Sequence, residues 1–585
     1  MAEALHLEAA EVAIDRLVEA QVLEVAEVIE VQEAAQEVRE ATGVLAVLQD
    51  HLLLEDLQEA VDRQAEVGED NRLQTFRNQI KIKKMKRNLT FIILLVCSLA
   101  SAQNISDVLR YSSENIQGTA RYQGMGGAFG ALGGDLSALN INPAGSAIFN
   151  NNLGTVSGTV YNRDNVITYG GNATATSPNY LDINQAGGVL VFKSTLPTSP
   201  WSKVALALNY DVTENFDDNI FASGTTNEGI DNYFLNFAQG VPFGDITLRE
   251  GEFIEEAYLD IGANLGFGDQ QAFLGYFGGL IDPAQMENDN TAYISNADYT
   301  TVNQEFSRIT SGYNSKFTLN LASQYRERLS IGASVNFHSI LYNRNDQFTE
   351  TGYNADSEIQ RTTFDNRLFT QGSGFSLNVG AIAKLSDFLR IGGSYQSPTW
   401  YRLEDELSQS ISSDLADDNI NFINFDQVNI FPTYKLRVPG KVMGSLALIF
   451  GKNGLLSFDY SFQDFSEAKL GPVDDVNFAS VNSDVSRDLG TVNTFRLGGE
   501  YRIDRFSLRA GYRFDESPYE SLNTVGDLES ISGGIGYNFG GSRLDLAINR
   551  TERDVAQRLF DTGINSTALV NGVSMNGTLS YTVNF

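Results

Sequence analysis

The stretch GMGGAFGALGG, residues 124–134, has the glycine density of a loop that cradles phosphate. Such loops aim bare backbone N–H groups at phosphate oxygens, and each kind needs particular company. A dinucleotide loop requires G-x-G-x-x-G directly after an apolar strand. Here Gly124 and Gly126 are in place, but the third position is Phe129 and the run before it is IQGTARYQ. A nucleotide-triphosphate loop requires Gly-Lys-Ser/Thr, and no lysine occurs between Lys86 and Lys193. The glycines are therefore read as small residues that permit close approach and positive φ.

Other chemistry is equally thin. After residue 102 the only histidine is His338, beside Ser339, and the single cysteine of the chain is Cys97. A Ser-His-Asp site needs a positioned histidine, and zinc or haem needs more His or Cys ligands than these. No catalytic residue, metal site, cofactor or enzymatic activity is expected.

Composition points elsewhere. With 41 Lys+Arg against 74 Asp+Glu the formal charge is -33, which disfavours a nucleic-acid partner. Gly (53), Phe (36) and Tyr (24) are abundant, and Pro (11) is scarce. That mixture suits a large antiparallel β-structure with tight bends and aromatic bands.

The beginning reads as two incompatible starts. KKMKRNLTFIILLVCSLASAQN contains basic Lys86 and Arg87, an apolar run Leu89–Leu99 and a small-x-small site at Ala100-Ser101-Ala102. These are the three parts of a secretory signal peptide, 85–102, and the apolar run is too short to span a bilayer. Met85 is then the expected start, and residues 1–84, rich in Ala, Glu, Val and Leu, are expected to be a spurious upstream extension, helix-prone or disordered.

From about residue 153 the period is two. KFTLNLASQY (316–325) sets Phe317, Leu319, Leu321 and Tyr325 against Thr318, Asn320 and Gln324. LLSFDYSFQDF (455–465) and RFSLRAGYRF (505–514) repeat the pattern. Fourteen such segments occur, among them 153–163, 315–325, 329–343, 374–385 and 573–585. An exported chain with an even number of these segments predicts an all-β, 14-stranded antiparallel transmembrane β-barrel over 153–585, apolar face to lipid and polar face inward. Short turns such as RER (326–328) and KNG (452–454) are expected on the periplasmic side. Long acidic links (214–314, 344–373, 403–433, 467–490, 515–528, 552–572) are expected outside.

Parity turns Arg390, Arg496, Arg502, Arg509 and Arg513 toward the lumen, near Asp459, Glu500 and Asp545. A buried arginine there is either a carboxylate contact for a ligand or one rung of a charge ladder. The longest link is rich in apolar residues: Phe234, Phe237, Leu259, Ile261, Leu265, Phe267, Phe273, Leu274, Tyr276 and Phe277 are candidates for an outward hydrophobic groove, or else form the loop's own core. The C-terminal NGTLSYTVNF, with Tyr581 and Phe585 on one face, resembles the signal read by the barrel-assembly machinery.

Between cleavage site and first strand, residues 103–152 contain Gly126, Gly127, Asp135 and then Asn142-Pro143-Ala144-Gly145. This segment, with the fourteen strands and the large early link, resembles the FadL/TodX family of outer-membrane transporters for hydrophobic compounds. The resemblance implies that 103–152 is a plug in the barrel lumen. It also implies a monomer in the outer membrane of a Gram-negative bacterium, surrounded by lipid and lipopolysaccharide. The implied activity is passive passage of hydrophobic small molecules such as long-chain fatty acids. The related PorV-like barrels carry a similar segment, so a role as a partner in protein secretion, without transport, is the alternative.

Overall fold

The computed structural model describes residues 104–585 apart from positions 197, 474, 522 and 523. The signal peptide and the upstream segment lie outside the described residues.

The sheet contains fourteen barrel strands, several interrupted once. They are β1 (Leu153–Tyr169), β2 (Asn172–Thr176 continued by Asn179–Lys193), β3 (Trp201–Asn215 continued by Asp218–Thr226) and β4 (Val302–Tyr325). Then come β5 (Leu329–Thr351), β6 (Arg361–Lys384), β7 (Leu389–Gln396 and Thr399–Ser413) and β8 (Tyr434–Val438 and Lys441–Phe450). The rest are β9 (Gly454–Asp464 and Lys469–Gly471), β10 (Thr491–Ile503), β11 (Phe506–Asp515), β12 (Leu528–Asn538), β13 (Ser542–Arg558) and β14 (Thr567–Asn584). Each pairs antiparallel with the next, and β14 returns to β1 from Leu153↔Asn584 to Thr168↔Leu569. That last ladder closes the sheet, so neither its first nor its last strand is a free edge.

Along the lower half of the wall, alternation follows the expected parity. On β5, Ile331 and Phe337 are exposed outward, while Ser330, Ser334 and Asn336 are buried inward. On β14, Leu579 and Tyr581 face out, and Thr578, Ser580 and Thr582 face in. Exposed apolar bands around a polar interior are the arrangement of a barrel in lipid.

The strands run further than the alternation predicts. The segments 315–325 and 374–385 are the lower ends of Val302–Tyr325 and Arg361–Lys384. In the upper part of the strands, from within the expected segment 329–343 onward, the pattern inverts: Ile340, Tyr342 and Phe348 of β5 are buried inward, and Asn343 and Gln347 are exposed outward. Val302 and Phe306 of β4, Phe364 of β6 and Leu403 and Ile411 of β7 do the same. Outward side chains meet water there, so the apolar face turns to the inside. The inversion marks where the wall leaves the lipid, and it is why links 214–314 and 344–373 are partly strand.

Residues 104–150 pack against the inward side of the wall. Helix α1 (Ile105–Ser112) starts with Asn104, whose side chain accepts from Ser106 and Asp107 N–H groups. A short turn of helix, α2 (Ala120–Gln123), follows. The glycine-rich stretch then lies directly on wall glycines: a Cβ at Gly511 would strike the Gly126 backbone nitrogen, and one at Gly392 would strike the Gly130 carbonyl. Gly126 and Gly127 adopt φ 61° and 72°, a region that non-glycine residues enter at a cost.

Replacing Gly511 with alanine therefore forces backbone against backbone, an overpacking cost of about 1–3 kcal/mol. Gly577, on the outward face of β14, has open space beside it. Thermal unfolding of the detergent-solubilised barrel should show Gly511→Ala clearly destabilised and Gly577→Ala close to wild type.

Candidate functional site

The N-terminal segment is tied to the wall by polar contacts from many strands. Asn142 caps the turn Pro143–Ile148: its Oδ1 accepts from Ala144 N–H (3.1 Å), and its Nδ2 donates to the carbonyls of Gly130 (2.8 Å) and Ala381 (3.0 Å). Pro143 and Ala144 sit against Gly332, and Gly145 against Gly133. Asp135 accepts from Thr119 Oγ1 at 2.7 Å and Ser137 N–H at 3.1 Å. Asp459 of β9 accepts the Gly130 N–H at 2.9 Å, and Ser532 of β12 accepts that of Gly126. Arg121 donates to Glu500 of β10 at 3.0 Å. Glu500 in turn accepts from Arg509 at 2.7 Å, and Arg509 donates to Asp545 at 2.8 Å. All four charges of this network, Arg121, Glu500, Arg509 and Asp545, are paired within it, as burial demands.

Above this segment lies a cavity of about 1100 Å³. Its floor is α1, through Asp107, Leu109 and Arg110, and its walls are the inverted upper parts of the strands, with Phe306, Tyr342 and Phe364. The other half of the lining is charged. Arg308 forks onto Asp346 with contacts of 2.7 and 2.8 Å. Arg344 Nε lies 3.3 Å from the same carboxylate, an ion pair without hydrogen-bond alignment. Arg110 stands 4.5 Å over the ring of Tyr342. At the β3 interruption the cavity reaches Arg163, Glu214 and Phe216. One nitrogen of Arg163 (Nε) and one oxygen of Glu214 (Oε2) are buried there without partners. Buried unpaired donors and acceptors are costly, so such groups indicate a place where polar ligand atoms fit.

A helical cap roofs the barrel: α3 (Asp231–Ala238), α4 (Ile254–Asn264) and α5 (Phe267–Phe277). The groove candidates divide here. Phe234, Ile261, Phe273, Leu274 and Phe277 are buried with Phe306, Phe348 and Phe364 of the wall. They form the cap's core and not an outward groove surface, because the helices find their apolar partner in the inverted barrel mouth. The Phe234 and Phe364 rings are 5.1 Å apart. Phe237, Leu259 and Tyr276 pack partly buried on that core, Leu265 is exposed, and Phe267 lines the cavity.

The arginine candidates also divide, and none of the five lines the large cavity. Arg390 donates to the Leu132 carbonyl at 3.3 Å, and Arg509 belongs to the Glu500 network. Arg502 is exposed at the lower rim, donating to Glu500 at 2.7 Å. Arg513 forks onto Asp515, and Arg496 faces the same small space beside Glu114. Lumen parity does not single out Arg110, Arg163, Arg308 and Arg344 of the cavity lining, and two of them, Arg308 and Arg344, stand in the upper wall, where the alternation inverts. The apolar run Ile340-x-Tyr342 with Phe348, six residues further on, is the signal that finds that wall. His338 is inward and held by Ser376 (2.9 Å) and Tyr401 (3.2 Å), with no carboxylate on its ring, and Ser339 faces outward. Tyr581 and Phe585 are exposed on the outer face.

A family profile described as Outer membrane protein transport protein (OMPP1/FadL/TodX) matches residues 284–583, just over half of the chain. The chain belongs to this family. It is accordingly an outer-membrane protein, and its exposed apolar band faces lipid. Among solved structures, a Pseudomonas aeruginosa FadL homologue shares 13% identity, covering 81% of this chain and 99% of that one with a TM-score of 0.49. The P. putida toluene transporter TodX shares 14%, covering 80% and 99%, with a TM-score of 0.45. The Ralstonia pickettii toluene transporter TbuX shares 13%, covering 80% and 99%, with a TM-score of 0.41. Among curated proteins none matches the chain.

Two outcomes follow for this family member. Glu500→Gln removes the anion that Arg121 and Arg509 share, leaving Arg509 only Asp545, a loss of about 3–5 kcal/mol. It should lower the unfolding temperature and raise the open-channel conductance in planar bilayers. The second concerns Glu350, beyond the lipid at the top of β5, where it holds the cap through the Ile230 N–H at 3.0 Å and meets Tyr353 Oη at 2.7 Å. Burial pushes its carboxyl up to about 7 despite these donors. A carboxyl raised in the folded state contributes stability that is complete below its unfolded pKa and is lost as pH rises through the folded value. Proteolytic nicking of the cap should thus increase from pH 5 to pH 8 in wild type and stay flat in Glu350→Gln.

Proposed function

We propose that the barrel passes hydrophobic molecules bearing one polar end, of which long-chain fatty acids are the type, inward across the outer membrane without an energy source. The observation that carries this reading is the cavity itself, with aromatic rings on one part of its lining and guanidinium groups on another. A bare hydrocarbon has no use for these guanidinium groups, whereas a carboxylate would form charge-assisted hydrogen bonds with them. Residues 103–152 act as the plug that keeps the floor shut.

The exit is at the interruption of β3. Pairing of β2 with β3 runs from Gln185↔Asp211 to Lys193↔Lys203 and stops there. Asn179–Asp182 pair with β1 alone, beside the stretch of β3 that is buried over residues 212–216. The cavity touches this gap at Glu214 and Phe216, and outside it Leu181 and Ile183 are 78% and 62% exposed. A ligand leaving sideways here would enter lipid without crossing the plug.

Uptake of radiolabelled oleate by a deletion strain should fall and be restored by the wild-type gene. Arg344→Leu should restore it several-fold less well, while uptake of a neutral alkane of similar length changes little. Unchanged oleate uptake together with defective protein secretion would replace this reading with the PorV-like one.

A further inference from the structure

The outer wall carries a row of side chains in register across six strands. Phe317 of β4 pairs with Phe337 of β5, Phe337 with Phe375 of β6, and Phe375 with Trp400 of β7. These rings face out, with centroids 6.0 Å apart for Phe337–Phe375 and 6.5 Å for Phe375–Trp400. A second aromatic level, Trp201 with Tyr325, lies eight residues below Phe317 on the same wall. Eight residues of tilted strand rise about 20 Å, close to the height of a barrel's apolar band. The upper row therefore marks the outer lipid–water boundary.

The row does not end in aromatics. Trp400 pairs with Arg437 of β8, and Arg437 with Lys469 of β9. One step further out, Arg402 of β7 pairs with Lys435 of β8. Arg402, Lys435 and Arg437 are exposed and form no ion pair among the described residues. Lys469 donates to Ser486 at 2.9 Å. On β7 the next outward carboxylates, Glu404 and Glu406, lie beyond the cations, and Glu404 is engaged by Gln371. Two pairs of like charges directly opposite each other disfavour strand pairing, and they stand out in a chain of net charge -33. Charges left facing each other at a membrane boundary need an anion from the membrane.

We propose that Arg402, Lys435, Arg437 and Lys469 form a docking patch for the phosphorylated glucosamine headgroup of a lipopolysaccharide molecule in the outer leaflet. The phosphates sit between the two cationic pairs and accept their N–H donors, and the acyl chains lie along Trp400 and Phe375 below. This surface faces away from the lumen and is independent of the transport reading.

The test uses the full barrel in phosphatidylcholine nanodiscs, with bound lipid counted by native mass spectrometry. Wild type should retain bisphosphorylated lipid A at least tenfold better than dephosphorylated lipid A. The exposed triple variant Arg402→Ser/Lys435→Ser/Arg437→Ser should lose that preference, and Arg402→Lys/Arg437→Lys should keep most of it. Lys435→Ser alone, with a partial loss, serves if the triple variant does not assemble. Equal retention of both lipids by wild type, or an undiminished preference in the variants, overturns the proposal. Displacement of lipid A by inorganic phosphate at equal concentration assigns the patch to a free anion and overturns it as well.

Discussion

Closure of the sheet is the constraint on which everything else rests. In hydrocarbon a backbone N–H or C=O has no water to turn to, so every strand needs two neighbours. The ladder between β14 and β1 meets that demand, and the terminal strand therefore reaches almost to the last residue. Closing the wall also sets the width of the lumen, which a fixed number of strands cannot narrow. Something must occupy it, and the polar inward face requires that the occupant be polar too.

The N-terminal segment answers both requirements. Its glycines sit on glycines of the wall, so two backbones meet where side chains would hold them apart. Among its other contacts are hydrogen bonds to buried Asp459, Ser532 and Glu500. Each is strong while complete and costly when one partner is removed. A segment held in this way is well fixed in the lumen.

Higher in the wall the same strands change their surroundings and their pattern with them. Outside the lipid, water takes the outward face and the apolar residues move inside, where the cap packs on them and the amphipathic cavity opens beneath. Reading alternation alone recovers the lower wall, because Phe317, Leu319 and Leu321 announce it. It does not recover the upper wall, where the sign of the alternation reverses partway along a single strand such as β5. For that reason parity points to the lower-lumen Arg509 and Arg513, which are paired with Asp545 and Asp515, and not to Arg308 and Arg344.

Strand number, facing and the small-residue nature of GMGGAFGALGG were set locally, by a period of two and by residue size, which a sequence displays directly. The rest depended on what lies across the lumen. Only the closed barrel could decide that Phe234 and Phe273 join wall residues in a core, that Glu500 answers arginines from two separate segments, and that four cations from β7, β8 and β9 stand side by side. Those neighbours are far apart in the chain, and register between strands, which no single strand encodes, brings them together.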